Sequence, residues 1–137
     1  MLSVARITYI LMLERGEFDE WVEKNLLGNH RRGKELIYLT ALLHDIGRWE
    51  EYLTGESHSM ISARYAREFL KLLGFSAPEI EICALAIEEH RSTCTPMTVL
   101  GTYIQEADKL SRECWKCAAK SMCKNIGKMR TRFGPIL

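Results

Sequence analysis

The sequence predicts an all-α fold. Three observations carry that prediction. No segment sustains the period-two alternation of apolar and polar residues, bounded by turn dipeptides, that marks a strand. Apolar residues recur three and four apart through most of the chain instead. Helix start and stop signals bracket those runs. At 137 residues the chain is long enough for one domain with one substantial core.

The elements follow in order. Leu2 to about Glu14 is the first helix, stopped by Gly16. Phe18, Trp21, Val22 and Leu26 then fall at helical spacing and predict a shorter helix over Asp19 to Leu27. Gly28-Asn29-His30-Arg31-Arg32-Gly33 is polar and flanked by glycine, so a loop is expected there. Lys34 to Ile46 is expected to be a deeply buried helix, because Leu36, Ile37, Leu39, Ala41, Leu42, Leu43 and Ile46 cover much of its circumference. Gly47 suits the left-handed position after such a helix. Glu51 to Glu56 is expected as a loop. Ser57 or His58 then opens a helix carrying Ile61, Ala63, Ala66 and Leu70, which Gly74 stops. Ser76-Ala77-Pro78-Glu79 combines a serine cap, a first-turn proline and a glutamate three residues on, and starts a helix to about His90. Arg91 to Thr95 is expected as a loop. Thr95-Pro96 should begin a last long helix, through Tyr103 and Ala107 as far as Ala119. Beyond Lys120 the chain is expected to be loosely structured.

Charged residues at 27% and apolar residues at 47% are ordinary for a soluble globular domain. A net charge of +1 demands neither a nucleic-acid nor a membrane partner. Basic side chains do gather between Lys116 and Arg132, with no acid among them. That stretch is either a solvated end or a tail that attracts phosphate or RNA. No apolar segment is long enough to span a bilayer. Ile7 to Leu13 follows Arg6 but runs into Glu14-Arg15 and has no small-residue cleavage site, so a cytoplasmic protein is expected. Five cysteines, an odd number without secretory context, argue against a disulfide framework. The oligomeric state stays open.

The chemistry concentrates at His44-Asp45-Ile46-Gly47, the end of the apolar run. With His58, His90 and Asp108 it makes five potential metal ligands on helices or helix ends. Neighbouring helical residues point about 100° apart. Both His44 and Asp45 can therefore reach one ion only where the helix loosens at its end. Imidazole and carboxylate suit a first-row divalent metal. Asp45 has two oxygens and can bridge two ions, with His58 and His90 completing a second ion and Asp108 returning to the first. Two metals about 3.5–4 Å apart can clamp a phosphate and hold a hydroxide nucleophile. Each residue also has a plain reading. His44 can be a satisfied core histidine, His90 a favourable cation at a helix end, and Asp108 half of a surface pair with Arg112. Asp45 fits such a reading less well, because a negative charge at a helix C-terminus opposes the dipole and favours a nearby cation.

These blocks carry a family resemblance. Leu39-Thr40-Ala41-Leu42-Leu43-His44-Asp45-Ile46-Gly47-Arg48 resembles the signature of the HD superfamily of metal-dependent phosphohydrolases, of the HDIG type. His58-Ser59-Met60-Ile61-Ser62-Ala63, Ile87-Glu88-Glu89-His90-Arg91 and Ala107-Asp108-Lys109-Leu110 resemble its later blocks, in order, over residues 36 to 112. The resemblance implies a compact bundle of about five to seven helices, with an HD domain over residues 1–113 and a Cys-containing basic tail over 114–137, packed on it or trailing from it. It implies His44, Asp45 and Asp108 around one ion, and Asp45, His58 and His90 around a second. The metals expected are one or two divalent ions, iron, manganese or another, and Asp45 is the expected catalytic centre. Arg48, Arg91 and Lys109 flank the ligands and are expected phosphate contacts, their plain reading being solvated charge. The family pattern also begins with a histidine four residues before an apolar position that Val4 matches, which would fall immediately before Met1. The sequence as it stands does not carry it. His30 is the one histidine left unassigned, in an Arg-flanked loop.

Cys114, Cys117 and Cys123 form a separate candidate set. The two-residue gap between the first pair is common in zinc sites, and zinc or an iron–sulfur cluster would fit, with Cys83 or Cys94 as a fourth ligand. On a continuing helix Cys114 and Cys117 would share a face and simply pack.

Three functions follow. The first is a metal-dependent phosphohydrolase acting on a phosphate ester or anhydride, with a nucleotide as the expected small phosphorylated substrate. The second is a catalytically impaired HD module that binds a nucleotide or partner, because the first histidine ligand is absent. The third is a helical adaptor whose basic cysteine tail is the working part.

Overall fold

The structure is a computed structural model that describes residues 1–91 and 97–135. Apolar spacing, glycine stops and side-chain caps divide the described residues into seven α-helices. They are α1 (Leu2–Glu14), α2 (Phe18–Lys24), α3 (His30–Leu43), α4 (Arg48–Thr54), α5 (His58–Leu72), α6 (Ala77–Glu89) and α7 (Val99–Leu110). Among the described residues there is no strand. The all-α prediction holds. Among the described residues no helix is long and apolar enough to cross a membrane.

α5 packs along α6, α6 along α7, and α1 bridges α3 and α7. Between α5 and α6 the contact is made by Ala63, Ala66, Ala84 and Ile87, where small side chains let two backbones approach. The main core gathers Val4, Met12, Phe18, Leu36, Ile37, Leu70, Leu100 and Ile104 from α1, α2, α3, α5 and α7. Burial of these side chains, at roughly 1.5–3 kcal/mol each, is what holds the bundle.

Several boundaries differ from the sequence expectation, each for a local reason. His30 to Gly33 is the first turn of α3, capped by Asn29, whose side chain accepts from the Arg32 N–H at 2.9 Å. Gly33 is there for packing: a Cβ would meet Val22 Cγ2 at 2.6 Å, so only glycine lets α2 lie against α3. α2 stops at Lys24 because Leu26 turns left-handed at φ 53°, with Leu26 N–H donating to Glu23 O and Leu27 N–H to Val22 O. α3 ends at Leu43, and Gly47 has an ordinary φ of −85°. Arg48 to Thr54 is the helix α4 instead of a loop from Glu51, and left-handed Gly55 ends it. α7 begins after Thr98, whose side chain accepts from the Gly101 N–H. The expected start at Thr95-Pro96, and the expected loop at 92–95, lie outside the described residues. α7 also stops at Leu110, short of Ala119, where the Ser111 hydroxyl donates to Asp108 O at 2.8 Å and competes with the helical ladder. The chain beyond is a series of short 3-10 turns at Cys114–Lys116, Lys120–Met122, Ile126–Lys128 and Arg130–Arg132, with Met129 and Thr131 buried.

The Ser76–Glu79 signal is used twice. It forms the capping box of α6, and Glu79 also takes Arg32 of α3 through Nε at 2.5 Å and Nη2 at 3.0 Å. Arg32 in turn lies over the Phe75 ring at 4.1 Å. The guanidinium pulls the Glu79 carboxyl from an ordinary 4.5 down to about 2. A depressed carboxylate stabilises the fold above its unfolded pKa and loses that contribution as pH falls. Glu79→Gln is expected to cost about 1–2 kcal/mol at pH 7. In denaturant titrations the gap from the parent protein should close between about pH 4.5 and pH 2. A gap that stays constant over that range would show that the charge contributes nothing.

Candidate metal centre

Helix ends build the site. His44 is the C-cap of α3, His58 is the first residue of α5, and His90 is the C-cap of α6. Asp45 stands in the turn between α3 and α4, and Asp108 lies in the last turn of α7. The three imidazoles are buried and Asp45 and Asp108 are partly so. The His44 and His90 rings meet edge to face, with centroids 5.1 Å apart, and the His58 ring lies 5.4 Å from His90.

Each imidazole has its Nδ1 occupied. His44 Nδ1 lies 2.7 Å from Ala41 O, and His90 Nδ1 lies 2.6 Å from Ile87 O. His58 Nδ1 lies 2.8 Å from Glu51 Oε2. A carbonyl or carboxylate oxygen has no hydrogen to give, so every Nδ1 must be the donor. That fixes the tautomer and leaves the neutral rings with a lone pair on Nε2. Those Nε2 atoms converge on carboxylate oxygens. His58 and His90 stand 3.2 and 3.8 Å from Asp45 Oδ1. His44 stands 3.8 Å from Asp45 Oδ2 and 3.9 Å from Asp108 Oδ1.

Here acceptors face acceptors. Among the described residues no hydrogen-bond partner reaches buried His44 Nε2 or His58 Nε2. Buried polar atoms are almost always paired, and leaving one unpaired costs roughly 1–3 kcal/mol. A cation between the Nε2 lone pairs and the carboxylates removes that cost. One ligand atom each from His44, Asp45 and His90 lies within 4.8 Å of the others, close enough for one ion. The donor set, nitrogen and carboxylate oxygen, suits a first-row divalent metal. Asp45 presents Oδ1 to His58 and His90 and Oδ2 to His44, so both of its oxygens face imidazole nitrogens.

The electrostatics agree. Burial pushes His44 down, but Asp108, the Ala41 carbonyl and Asp45 outweigh it and the net shift is upward. A proton and a metal ion would therefore compete for the same place between His44 Nε2 and the two carboxylates. Burial drives His90 from 6.5 to about 4, so it is neutral and ready to ligate near pH 7. Burial raises Asp108, yet His44 and Arg112 together hold it well below the ordinary carboxylate range.

Other expected residues fall in different places. Arg48 lies 3.4 Å from Asp45 Oδ2, and Arg112 lies 2.5 Å from Asp108 Oδ2. The Asp108–Arg112 pair is thus real and coexists with the approach to His44. Arg91 and Lys109 line a cavity of about 500 Å³ together with His90 and Asp108. His30 pairs with Asp19 at 3.1 Å and lies against Phe18, apart from the cluster. The structure does not bring the tail cysteines together. Cys114, Cys117 and Cys123 sit on or beside separate 3-10 turns, because α7 ended before them. Among the described residues they form no group with ligand spacing. Cys83 is buried in the core, which pushes its thiol up to about 11, and Cys94 lies outside the described residues.

Sequence reasoning missed Glu51. It grips His58 through both ring and backbone, at 2.8 Å to Nδ1 and 3.3 Å to the N–H. Such a carboxylate orients a ligating imidazole and raises its basicity. The signal was present in Gly47 and Gly55, which bracket seven residues with two acids in the first turn, as a short helix requires.

Comparison with known proteins bears on this arrangement. The family model described as "HD domain" matches residues 1–113. An uncharacterized protein of Clostridium beijerinckii is 35% identical over 132 residues, covering 96% of this chain and 74% of that protein. Two proteins called bifunctional uridylyltransferase/uridylyl-removing enzyme match more locally. That of Bradyrhizobium sp. (strain ORS 278) is 35% identical over 91 residues, covering 65% of this chain. That of Nitrobacter hamburgensis is 39% identical over 80 residues, covering 57%. The matched spans are only 9% and 8% of those two enzymes. No solved structure matches the chain significantly. The match over most of the chain, with the His-Asp cluster inside it, places this protein in the HD domain family.

Proposed function

We propose that this protein is a metal-dependent phosphohydrolase of the cytoplasm, cleaving a phosphate ester or anhydride of a nucleotide with one or two divalent metals, and that His44, Asp45, His58, His90 and Asp108 hold them. One observation carries the proposal: buried, donorless Nε2 atoms of His44 and His58 facing the Asp45 carboxylate. HD family membership supports hydrolysis. The name of the uridylyl-removing relatives supports a nucleotide.

A divalent metal bound there would polarise a phosphoryl oxygen and bring the pKa of a water from about 15.7 towards 7. The rest is the work of this chain. Glu51 holds the tautomer of His58, and the Ala41 and Ile87 carbonyls hold those of His44 and His90. Arg91 and Lys109, on the cavity wall beside His90 and Asp108, neutralise non-bridging phosphate oxygens. Burial of the three imidazoles keeps bulk water from competing for their lone pairs.

Purified protein is expected to contain stoichiometric divalent metal and to release product from at least one member of a nucleotide panel. His44→Ala combined with Asp45→Ala should abolish both. Unchanged metal content in the double variant would overturn the proposal. Tight nucleotide binding with no product from the parent protein would replace the hydrolase by a binding module.

A further inference from the structure

The cavity beside the metal cluster has a wall that the HD domain match does not supply. His90 and Asp108 line it, and so do Asn125, Lys128 and Met129 from the tail. The family match ends at residue 113, so these three belong to the segment beyond it.

Four basic side chains, Arg91, Lys109, Arg112 and Lys128, line this one space of about 500 Å³. Its single acid is already engaged, since Asp108 holds Arg112 at 2.5 Å and approaches His44 at 3.9 Å. Among the described residues no carboxylate pairs with Lys128. Like charges lining one space repel unless an anion joins them. The volume lies in the range of small-molecule sites, which is about 300–1,000 Å³.

Lys128 is also positioned. It closes the 3-10 turn Ile126–Lys128, and the next residue, Met129, is buried. Arg130 then approaches Glu106 of α7 at 3.9 Å, and Thr131 is buried. Glu106 is itself held by two 2.8 Å bonds from Arg15. The lysine thus lies between a hydrogen-bonded turn and the buried Met129, with Arg130 approaching α7, the helix that carries Asp108.

We infer that Asn125 and Lys128 form a second anion subsite, and that the substrate is a condensed phosphate, with at least two linked phosphoryl groups. One phosphoryl group sits against His90 and Asp108, and the next lies between Lys109 and Lys128, with the Asn125 amide as a neutral donor. The orientation rests on the phosphohydrolase proposal, because that proposal puts the reacting group at the cluster. The pairing of tail and cavity does not depend on it.

The test titrates inorganic tripolyphosphate and inorganic phosphate by calorimetry onto the full-length protein as purified, with its metal content measured before and after so that any metal taken by the anion is seen. Tripolyphosphate is expected to bind at least about tenfold more tightly than phosphate. Lys128→Ala should weaken tripolyphosphate about fivefold or more and phosphate less than about twofold. Lys124→Ala, on the same tail but outside the cavity, should change neither. Equal affinity for the two anions, or full tripolyphosphate affinity in a folded Lys128→Ala protein, overturns the subsite. Lys128-dependent discrimination without hydrolysis of any nucleotide keeps the subsite and removes the hydrolase. Hydrolysis that needs His44 and Asp45 but is blind to Lys128 does the reverse.

Discussion

Asp45→Asn is expected to empty the centre of metal and to lower turnover by on the order of a thousandfold. The substitution keeps the shape and removes the charge. It also replaces one acceptor oxygen by an amide donor. Asp45 Oδ1 faces His58 and His90, and Oδ2 faces His44. Whichever way the amide turns, it points N–H groups at an imidazole Nε2 that has no donor in the parent protein. The variant should therefore lose function and gain stability. Unfolding of the metal-free protein should become harder by about 1 kcal/mol, the net worth of an added buried hydrogen bond. A loss of metal with no gain in metal-free stability would show that the Nε2 atoms were already satisfied, and the electrostatic argument for a cation would fall. Opposite movement of stability and activity is what a site that gives up stability for function produces.

Gly47→Ala is expected to destabilise the fold by about 2–4 kcal/mol and to weaken metal binding with it. The added Cβ would sit 2.6 Å from Ile61 Cγ2, 2.7 Å from Ile61 Cβ and 2.8 Å from the Ser62 backbone nitrogen. None of these is a flexible side-chain end. The Gly47 N–H also donates to the Ser62 hydroxyl at 2.9 Å, tying the turn to α5. A shift that relieves the clash moves the turn that carries Asp45. Gly127→Ala is the control: nothing lies within 4 Å of where its Cβ would stand and its φ is not positive, so less than about 0.5 kcal/mol is expected. Equal effects of the two substitutions in denaturant titration would contradict the close approach of the turn to α5.

The sequence made the members of the cluster legible because candidate ligand atoms belong to residue types. His44, Asp45, His58, His90 and Asp108 can be named without coordinates, and four of them also mark helix ends or turns. The helices with strong caps were legible for the same reason: Ser76 and Glu79 announce α6, and Gly74 announces the end of α5. What was hidden depends on neighbours distant in sequence. Gly33 looks like a breaker until Phe18 and Val22 are seen lying against it. Gly47 looks like a left-handed cap until Ile61 is found above it. Glu51 looks like a loop residue until α4 turns it onto His58. The tail is the clearest case. Its lysines show no helical or strand period, and only the burial of Met129 and Thr131 brings Lys128 to the cavity.

The Nδ1 bonds of His44 and His90 have one more consequence. Each ring donates to a carbonyl three residues earlier, in the final turn of its own helix. Those carbonyls are among the acceptors that a helix end leaves without intrahelical partners. The imidazole therefore closes its helix and aims its ligand atom in the same act. Neither ring can swing aside without uncapping a helix. The jaws of this centre are cast in place, and a metal ion entering it should find them at their final separation. Metal-free and metal-loaded backbones should then superimpose.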